Sequence, residues 1–244
     1  MFRALFNEEM EVGGVTTEST GFCSLKLAKP FILEIVIQHP MTSPTATHNI
    51  SSELRSALNK LGEHREGPPA IVFVTGASGA GKTFLIDSAE QTFSHPRLQY
   101  IRFDRIGVPS EDQMIAEYGS GENWQRATTR EWIRRFLKEY PDKQLFIFEG
   151  QYNLDFARAA CDEFGINNYR MVVVTVPDEV MSHRLTKLRG QPELLTREMV
   201  NWSRFLKEQG QSVGALLLDT SAVSTEKGVN SILTEARKLV RDAV

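Results

Sequence analysis

Gly76-Ala77-Ser78-Gly79-Ala80-Gly81-Lys82-Thr83 decides how this chain is read. It satisfies the pattern G-x-x-x-x-G-K-[ST] at every fixed position, and each fixed residue has a physical task. Glycines admit positive φ and close backbone approach, so successive N–H groups can turn inward around phosphate oxygens. Lys82 sets a compact positive charge against the β- and γ-phosphates, and the Thr83 hydroxyl is placed to ligate Mg²⁺. A helix opening near Lys82 would direct its positive end at the same anion.

The flanks have the order this mechanism needs. Ala70-Ile71-Val72-Phe73-Val74-Thr75 is an apolar, β-branched run of strand length directly before the loop. Residues 84–93 read as a helix directly after it, with Leu85, Ala89 and Phe93 at helical spacing. A flexible turn between two core elements would not require Lys-Thr after its last glycine.

Outward from the loop, strands and helices alternate. Residues 98–103 form a second strand ending at Asp104, residues 145–148 a third ending at Glu149-Gly150, residues 171–176 a fourth, and residues 215–218 a fifth ending at Asp219-Thr220. The third is a continuous apolar run, as expected of a strand buried on both faces. Helices are expected over 53–62, 122–140, 154–164, 178–188, 196–209 and 232–240, with a short capped helix opening at Ser110-Glu111-Asp112-Gln113. The alternation implies an α/β fold with a parallel sheet covered on both faces.

Bulk properties narrow the function classes. The 244 residues suffice for one large α/β domain and an appendage. A hydrophobic share of 41% and a charged share of 24% are those of a soluble globular chain. A formal charge of −3 gives no electrostatic case for nucleic acid. No apolar run approaches the roughly 20 residues that span a bilayer. The first residues carry Glu8, Glu9 and Glu11 and lack the charge pattern of a secretory signal. Cys23 and Cys161 form neither a metal cluster nor a disulfide framework and read as buried thiols of a reducing, cytoplasmic protein. Residues 1–50 carry no recognisable chemistry: 22–27 and 31–37 read as short strands and 41–49 as a loop. A β appendage, a disordered tail and an extension ahead of a start at Met41 are all open.

Ligands of an open parallel sheet sit beyond the carboxyl ends of its strands. Glu149 stands there, where a carboxylate holds Mg²⁺ through water; the alternative is an acid satisfied by a helix N-terminus. Asp104 follows Lys82 by 22 residues, an interval filled by one helix and one strand. Its carboxylate should open into the same cleft and take, or orient, a hydroxyl proton, unless it is merely a turn aspartate. Arg184 and Arg189 flank a helix end followed by Gly190 and Pro192, a setting for mobile cations that close over a transferring phosphoryl group. A solvated helix face is the other reading of both. Arg126 projects onto the stripe Ile133, Phe136, Leu137 and Tyr140, so it should face inward and meet either an internal carboxylate or a substrate. Asp104-Arg105-Ile106-Gly107 matches D-x-x-G, but no N-K-x-D follows to read guanine. No Asp-Glu pair ends a strand, which disfavours a remodelling ATPase, and the histidines have no ligand spacing with the cysteines.

On these residues the chain resembles the P-loop kinase superfamily, which includes adenylate, shikimate and gluconate kinases, chloramphenicol phosphotransferase and the zeta-toxin kinases. The resemblance covers roughly residues 70–240 and rests on residues 76–83, Asp104, Glu149 and the segment around Arg184 and Arg189. It implies strand order 2-3-1-4-5, Mg·ATP as donor and a lid that closes by arginine contacts. The aspartate-glycine-phenylalanine-proline-arginine segment of adenylate kinases is absent, so a nucleoside monophosphate is not the default acceptor. Residues 1–68 match nothing in that superfamily.

The expectation is therefore an N-terminal extension over 1–50, a helix and linker over 51–69, and a catalytic domain over 70–244 with a lid around 184–195. Lys82, Arg184 and Arg189 would stabilise the transferring group, Thr83 and Glu149 would hold Mg²⁺, and Asp104 and Arg126 would meet a small-molecule acceptor that receives the γ-phosphoryl group on a hydroxyl or a phosphate. The competing expectation is a nucleotide switch or weak ATPase governed by a protein partner.

Overall fold

Short apolar runs set the architecture of the computed structural model, which describes residues 50–61 and 67–241. Every residue of β1 (Ala70–Thr75) and of β3 (Leu145–Gly150) is buried, because helices cover both faces of the sheet. β2 (Leu98–Arg102), β4 (Tyr169–Thr175) and β5 (Leu216–Asp219) complete a five-stranded sheet of order β2-β3-β1-β4-β5. All four pairings are parallel, which gives the expected order and class. Registration sets Val74 beside Glu149, Glu149 beside Arg102 and Thr75 beside Val173. The carboxyl ends of the strands therefore share one edge, where the site forms.

The crossovers are helical. α1 (Ser52–Leu58) begins at Ser51, whose hydroxyl accepts from the Leu54 amide, and it buries Leu54, Ala57 and Leu58. α2 (Lys82–Thr92) follows the glycine-rich loop. α3 (Glu111–Tyr118) starts with the expected capping box between Ser110 and Gln113. α4 (Gly121–Lys138) and α5 (Leu154–Glu163) flank β3 in sequence, and α6 (Asp178–His183), α7 (Arg197–Ser212) and α8 (Thr225–Arg241) complete the chain. An aromatic group fills the core on the β3 side. Phe136 stacks on Phe146 at 4.2 Å between centroids, and Phe148 stacks on Tyr152 at 5.1 Å.

Several elements differ from expectation, and three of the differences have a clear physical reason. β2 stops at Arg102, and Phe103–Ile106 wind into a 3-10 turn. The Trp132 indole captures the Phe103 carbonyl at 3.0 Å, and the Phe103 side chain fills the space beside Gly150, where an added Cβ would lie 2.4 Å from it. α6 continues into a π-helical turn, Arg184–Leu188, closed by the Arg189 amide on the Arg184 carbonyl at 2.9 Å. α8 starts seven residues before the expected 232, and Gly228 inside it is a contact point: a Cβ there would meet Leu85 Cδ2 at 2.7 Å. The strands expected over 22–27 and 31–37, the loop over 41–49, Cys23 and the helix stop at Gly62 lie outside the described residues.

Candidate active site

The loop from Gly76 to Thr83 leaves β1 by a turn that only glycine permits. Gly76 has φ of 155°, and a Cβ there would lie 2.3 Å from the Val174 carbonyl oxygen. Gly81 caps α2 in the left-handed region, φ 93°, and offers no side chain to the first amides of the helix. Gly76, Gly79 and Gly81 all have positive φ, a backbone course that can turn N–H groups inward ahead of the positive end of α2.

Three side chains meet behind that loop. Lys82 is 7% exposed, its Nζ donates to the Ala77 carbonyl at 3.2 Å, and Glu149 Oε1 is 4.0 Å away. The Thr83 hydroxyl donates to Glu149 Oε1 at 3.3 Å. Burial holds the Lys82 ammonium below the ordinary lysine range, against the pull of the Glu149 and Asp104 carboxylates, and the Arg189 charge lowers it further. Burial also pushes Glu149 up, against the Lys82 charge. Asp104 sits exposed in the 3-10 turn after β2, and its charge acts on both Lys82 and Glu149. Lys82, Thr83 and Glu149 thus come together, and the charges of Asp104 and Arg189 reach Lys82.

Arg184 has a different position from Arg189. Its Nη1 donates to the Gly79 and Ala80 carbonyls, each at 3.3 Å, and to the Thr220 hydroxyl at 2.7 Å. Its Nη2 donates to the Thr220 carbonyl at 3.1 Å, and the Thr220 hydroxyl donates to the Ala80 carbonyl at 2.7 Å. Arg184 and Thr220 therefore clamp the outer side of the phosphate loop. Arg189, one π turn onward, keeps its guanidinium exposed.

The inward projection of Arg126 is corrected. Its side chain is 60% exposed, pairs with Glu122 at 2.9 Å and lies over the Phe156 ring at 4.5 Å. The buried face of α4 is Trp124, Gln125, Thr128, Thr129, Trp132, Ile133 and Phe136. Taking Ile133 and Leu137 as its centre rotated the face by several tens of degrees at about 100° per residue, because the buried Gln and Thr residues carry no apolar signal.

Residues outside the sequence reading complete the loop's support. Gln151 Nε2 donates to the Ser78 hydroxyl at 2.7 Å. Gln125 Nε2 donates to the Gln151 carbonyl at 2.9 Å, and Gln125 Oε1 accepts from the Asn153 amide at 3.0 Å. Gln151 follows the end of β3, so listing every polar residue at a strand end would have found it. No comparable signal marks Gln125.

A cavity of about 550 Å³ opens two residues beyond Asp104. Ile106, Gly107, Val108 and Pro109 form one wall, α3 contributes Gln113 and Tyr118, and α4 contributes Trp124, Thr128 and Glu131. The Trp132 bond to Phe103 fixes α4 against the turn that carries Asp104.

The loop and its neighbours suit a nucleotide polyphosphate with a hard cation. Any side chain at Gly76 would break the cradle, and one hydroxyl and one carboxylate supply oxygen donors beside it. Among the described residues no three His, Cys, Asp or Glu side chains gather around one point, so phosphate oxygens and water would have to complete the shell of such a cation. No helix among the described residues is long and apolar enough to cross a membrane.

No family model matches the chain, and no curated protein matches it. Among solved structures, it is similar to a shikimate kinase from Acinetobacter baumannii in complex with shikimate, at 17% identity, over 72% of this chain and 95% of that one, with a TM-score of 0.43. It is also similar to a gluconokinase from Sinorhizobium meliloti 1021, at 16% identity, over 73% and 97% of the two chains, with a TM-score of 0.47. A tunicamycin resistance protein from Deinococcus radiodurans gives 14% identity, 70% and 96%, and a TM-score of 0.45. These are similarities of chain course at low identity, and the site is read from its own residues.

Proposed function

We propose that the protein is an ATP-dependent phosphotransferase that moves the γ-phosphoryl group to a hydroxyl of a small molecule. One observation carries this reading: the loop after β1 and Asp104 after β2 leave the same edge of a parallel sheet, and a cavity of about 550 Å³ opens two residues beyond Asp104. A nucleotide switch needs the loop but has no use for an acceptor cavity beside an exposed carboxylate.

Each residue then has a role. The amides of residues 76–83 hold the phosphates, and Lys82 exchanges the Ala77 carbonyl for phosphate oxygens. Thr83 and Glu149 would hold Mg²⁺, which neutralises charge on the β- and γ-phosphates when bound. Asp104 accepts the proton of the acceptor hydroxyl as its oxygen forms a bond to the γ-phosphorus and the bond from that phosphorus to the β-bridging oxygen breaks. Arg189, exposed and felt by Lys82, is the cation placed to close over the transferring group, with the segment around 184–195 as the lid. Arg184 and Thr220 keep the loop in shape. Residues 70–244 would be the catalytic domain, with α1 packed into the same core through Leu54 and Leu58.

Asp104→Asn tests this assignment. The change is nearly isosteric and removes a charge and a proton acceptor. MgATP affinity by calorimetry should stay near wild type, and transfer should fall by about 10²–10⁴-fold. Lost MgATP binding, with transfer unchanged at saturating ATP, would place Asp104 in the metal shell instead.

A further inference from the structure

The cavity that opens two residues after Asp104 differs in charge from the phosphate loop, none of whose residues line it. Its only charged lining residue among those described is Glu131; Arg105, next to the lining residue Ile106, does not line it. Glu131 accepts from Arg134 Nε and Nη2, each at 2.6 Å, and from Arg135 Nε at 2.9 Å. Those hydrogen bonds, Arg134's first, hold its carboxyl down to about 2, so it stays ionised while the two guanidiniums offset its field. Glu139 Oε1, 3.7 Å from both Arg134 Nη2 and Arg135 Nε, balances the second guanidinium, so the wall is nearly neutral. α3 beside it carries no basic residue, so no cation of that helix draws an anion to the cavity.

Apolar side chains share the rest of the cavity lining with neutral polar groups. Ile106, Val108, Pro109 and Trp124 line it, as do Val108's neighbour Gly107 and Tyr118, and Val108 and Tyr118 are each 38% exposed. Gln113 and Thr128 add neutral hydrogen-bonding groups. The volume lies within the roughly 300–1,000 Å³ of sites for drug-sized ligands.

We infer that the acceptor is an uncharged alcohol with an apolar, ring-bearing face, carrying no carboxylate or phosphate of its own. This rests on the phosphotransferase reading, and it narrows the acceptor class. The apolar face packs on Trp124 and the 106–109 wall, the polar edge meets Thr128 and Gln113, and the reacting hydroxyl points toward Asp104.

Matched probes test it without ATP. A set of neutral aryl β-D-glucosides is titrated beside the corresponding aryl β-D-glucuronides, which differ by one carboxylate. Binding is followed by calorimetry and by tryptophan emission. The expected result is saturable binding of at least one glucoside, at least about tenfold tighter than its glucuronide. The emission change should disappear in Trp124→Phe, which keeps Trp132 and Trp202. Ala127→Trp, at an exposed helical position lining the cavity, should weaken the glucoside by at least about tenfold. Equal or tighter binding of the glucuronide, no saturable binding of any glucoside, or an unchanged emission response in Trp124→Phe would overturn the inference. A parallel MgATP titration separates the two levels: failure to bind MgATP defeats the phosphotransferase reading, whereas MgATP binding with a preference for glucuronide defeats the acceptor class alone.

Discussion

The phosphate loop and the cavity after β2 lie on one sheet edge but are built in opposite ways. The loop is tied from every side. Val174 leaves no room for a Cβ at Gly76, Gln151 holds Ser78, and Arg184 with Thr220 holds the Gly79 and Ala80 carbonyls. The cavity is framed by a turn, a short helix and one face of α4, with apolar side chains left partly exposed. Phosphate is the same in every nucleotide, so its receptor can be rigid and preorganised. On the proposed reading the cavity takes the acceptor, and its lining is the part that sequence can vary without disturbing the cradle.

The contrast can be broken most severely at Lys82. Lys82→Met keeps the buried stem and removes the charge that faces the phosphates. Transfer should fall by on the order of 10²-fold or more, with the far-ultraviolet circular dichroism unchanged. Near wild-type turnover would show that the loop is not the donor site.

The two arginines sharpen the same contrast. Arg184→Ala removes charged hydrogen bonds to two loop carbonyls and Thr220; discounted for partial exposure, this is a loss of about 1–2 kcal/mol and a Tm lower by a few degrees. KM for MgATP should rise more than kcat falls. Arg189→Ala should do the reverse, leaving Tm unchanged and lowering kcat. Identical effects of the two variants would contradict their separation into clamp and closing cation.

Protonation offers a third route. Burial raises Glu149 and lowers Lys82, so activity that needs both ionised should have a narrowed window. The acid limb of kcat/KM for MgATP should lie above the ordinary carboxylate value of about 4.3, and the basic limb below the ordinary lysine value of about 10.4. The stability signs agree. A raised Glu149 contributes stability below its unfolded value that is lost as pH rises through the folded one. A depressed Lys82 contributes stability above its unfolded value that is lost as pH falls through the folded one. Between the two folded values both charges cost stability, so MgATP should raise Tm most there. Limbs at the ordinary values would show that neither group governs activity.

The smallest expected effect is at Arg126. Arg126→Ala removes an exposed ion pair with Glu122 and a ring contact, and should change Tm by no more than about a degree or two and MgATP affinity not at all. A large loss of transfer would restore the acceptor role that its spacing first suggested.

What could be read from the sequence follows the same division. The loop was legible because its residue types sit at fixed spacing between a strand and a helix. The sheet was legible because β1 and β3 are continuous apolar runs, and the order β2-β3-β1-β4-β5 is the one the family resemblance implies. Glu149 and Asp104 stood out as acids at strand ends. The cavity did not, because its lining comes from three segments and mixes Trp124 with Thr128, Gln113 and Glu131 in no periodic pattern. Arg126 was misplaced because Gln125, Thr128 and Thr129 are buried polar residues that a hydrophobic stripe cannot register. The first turns of α8 were missed because Gly228 reads as a breaker until Leu85 is seen against it.

The central claim is that the two halves of this edge act together. The most direct measurement follows the label of [γ-³²P]ATP, with Mg²⁺ and a pooled mixture of small neutral alcohols. The account predicts label in an organic phosphate ester with the wild-type protein, and none above background with Lys82→Met. Release of label only as inorganic phosphate, at one rate with or without the alcohols, would contradict it.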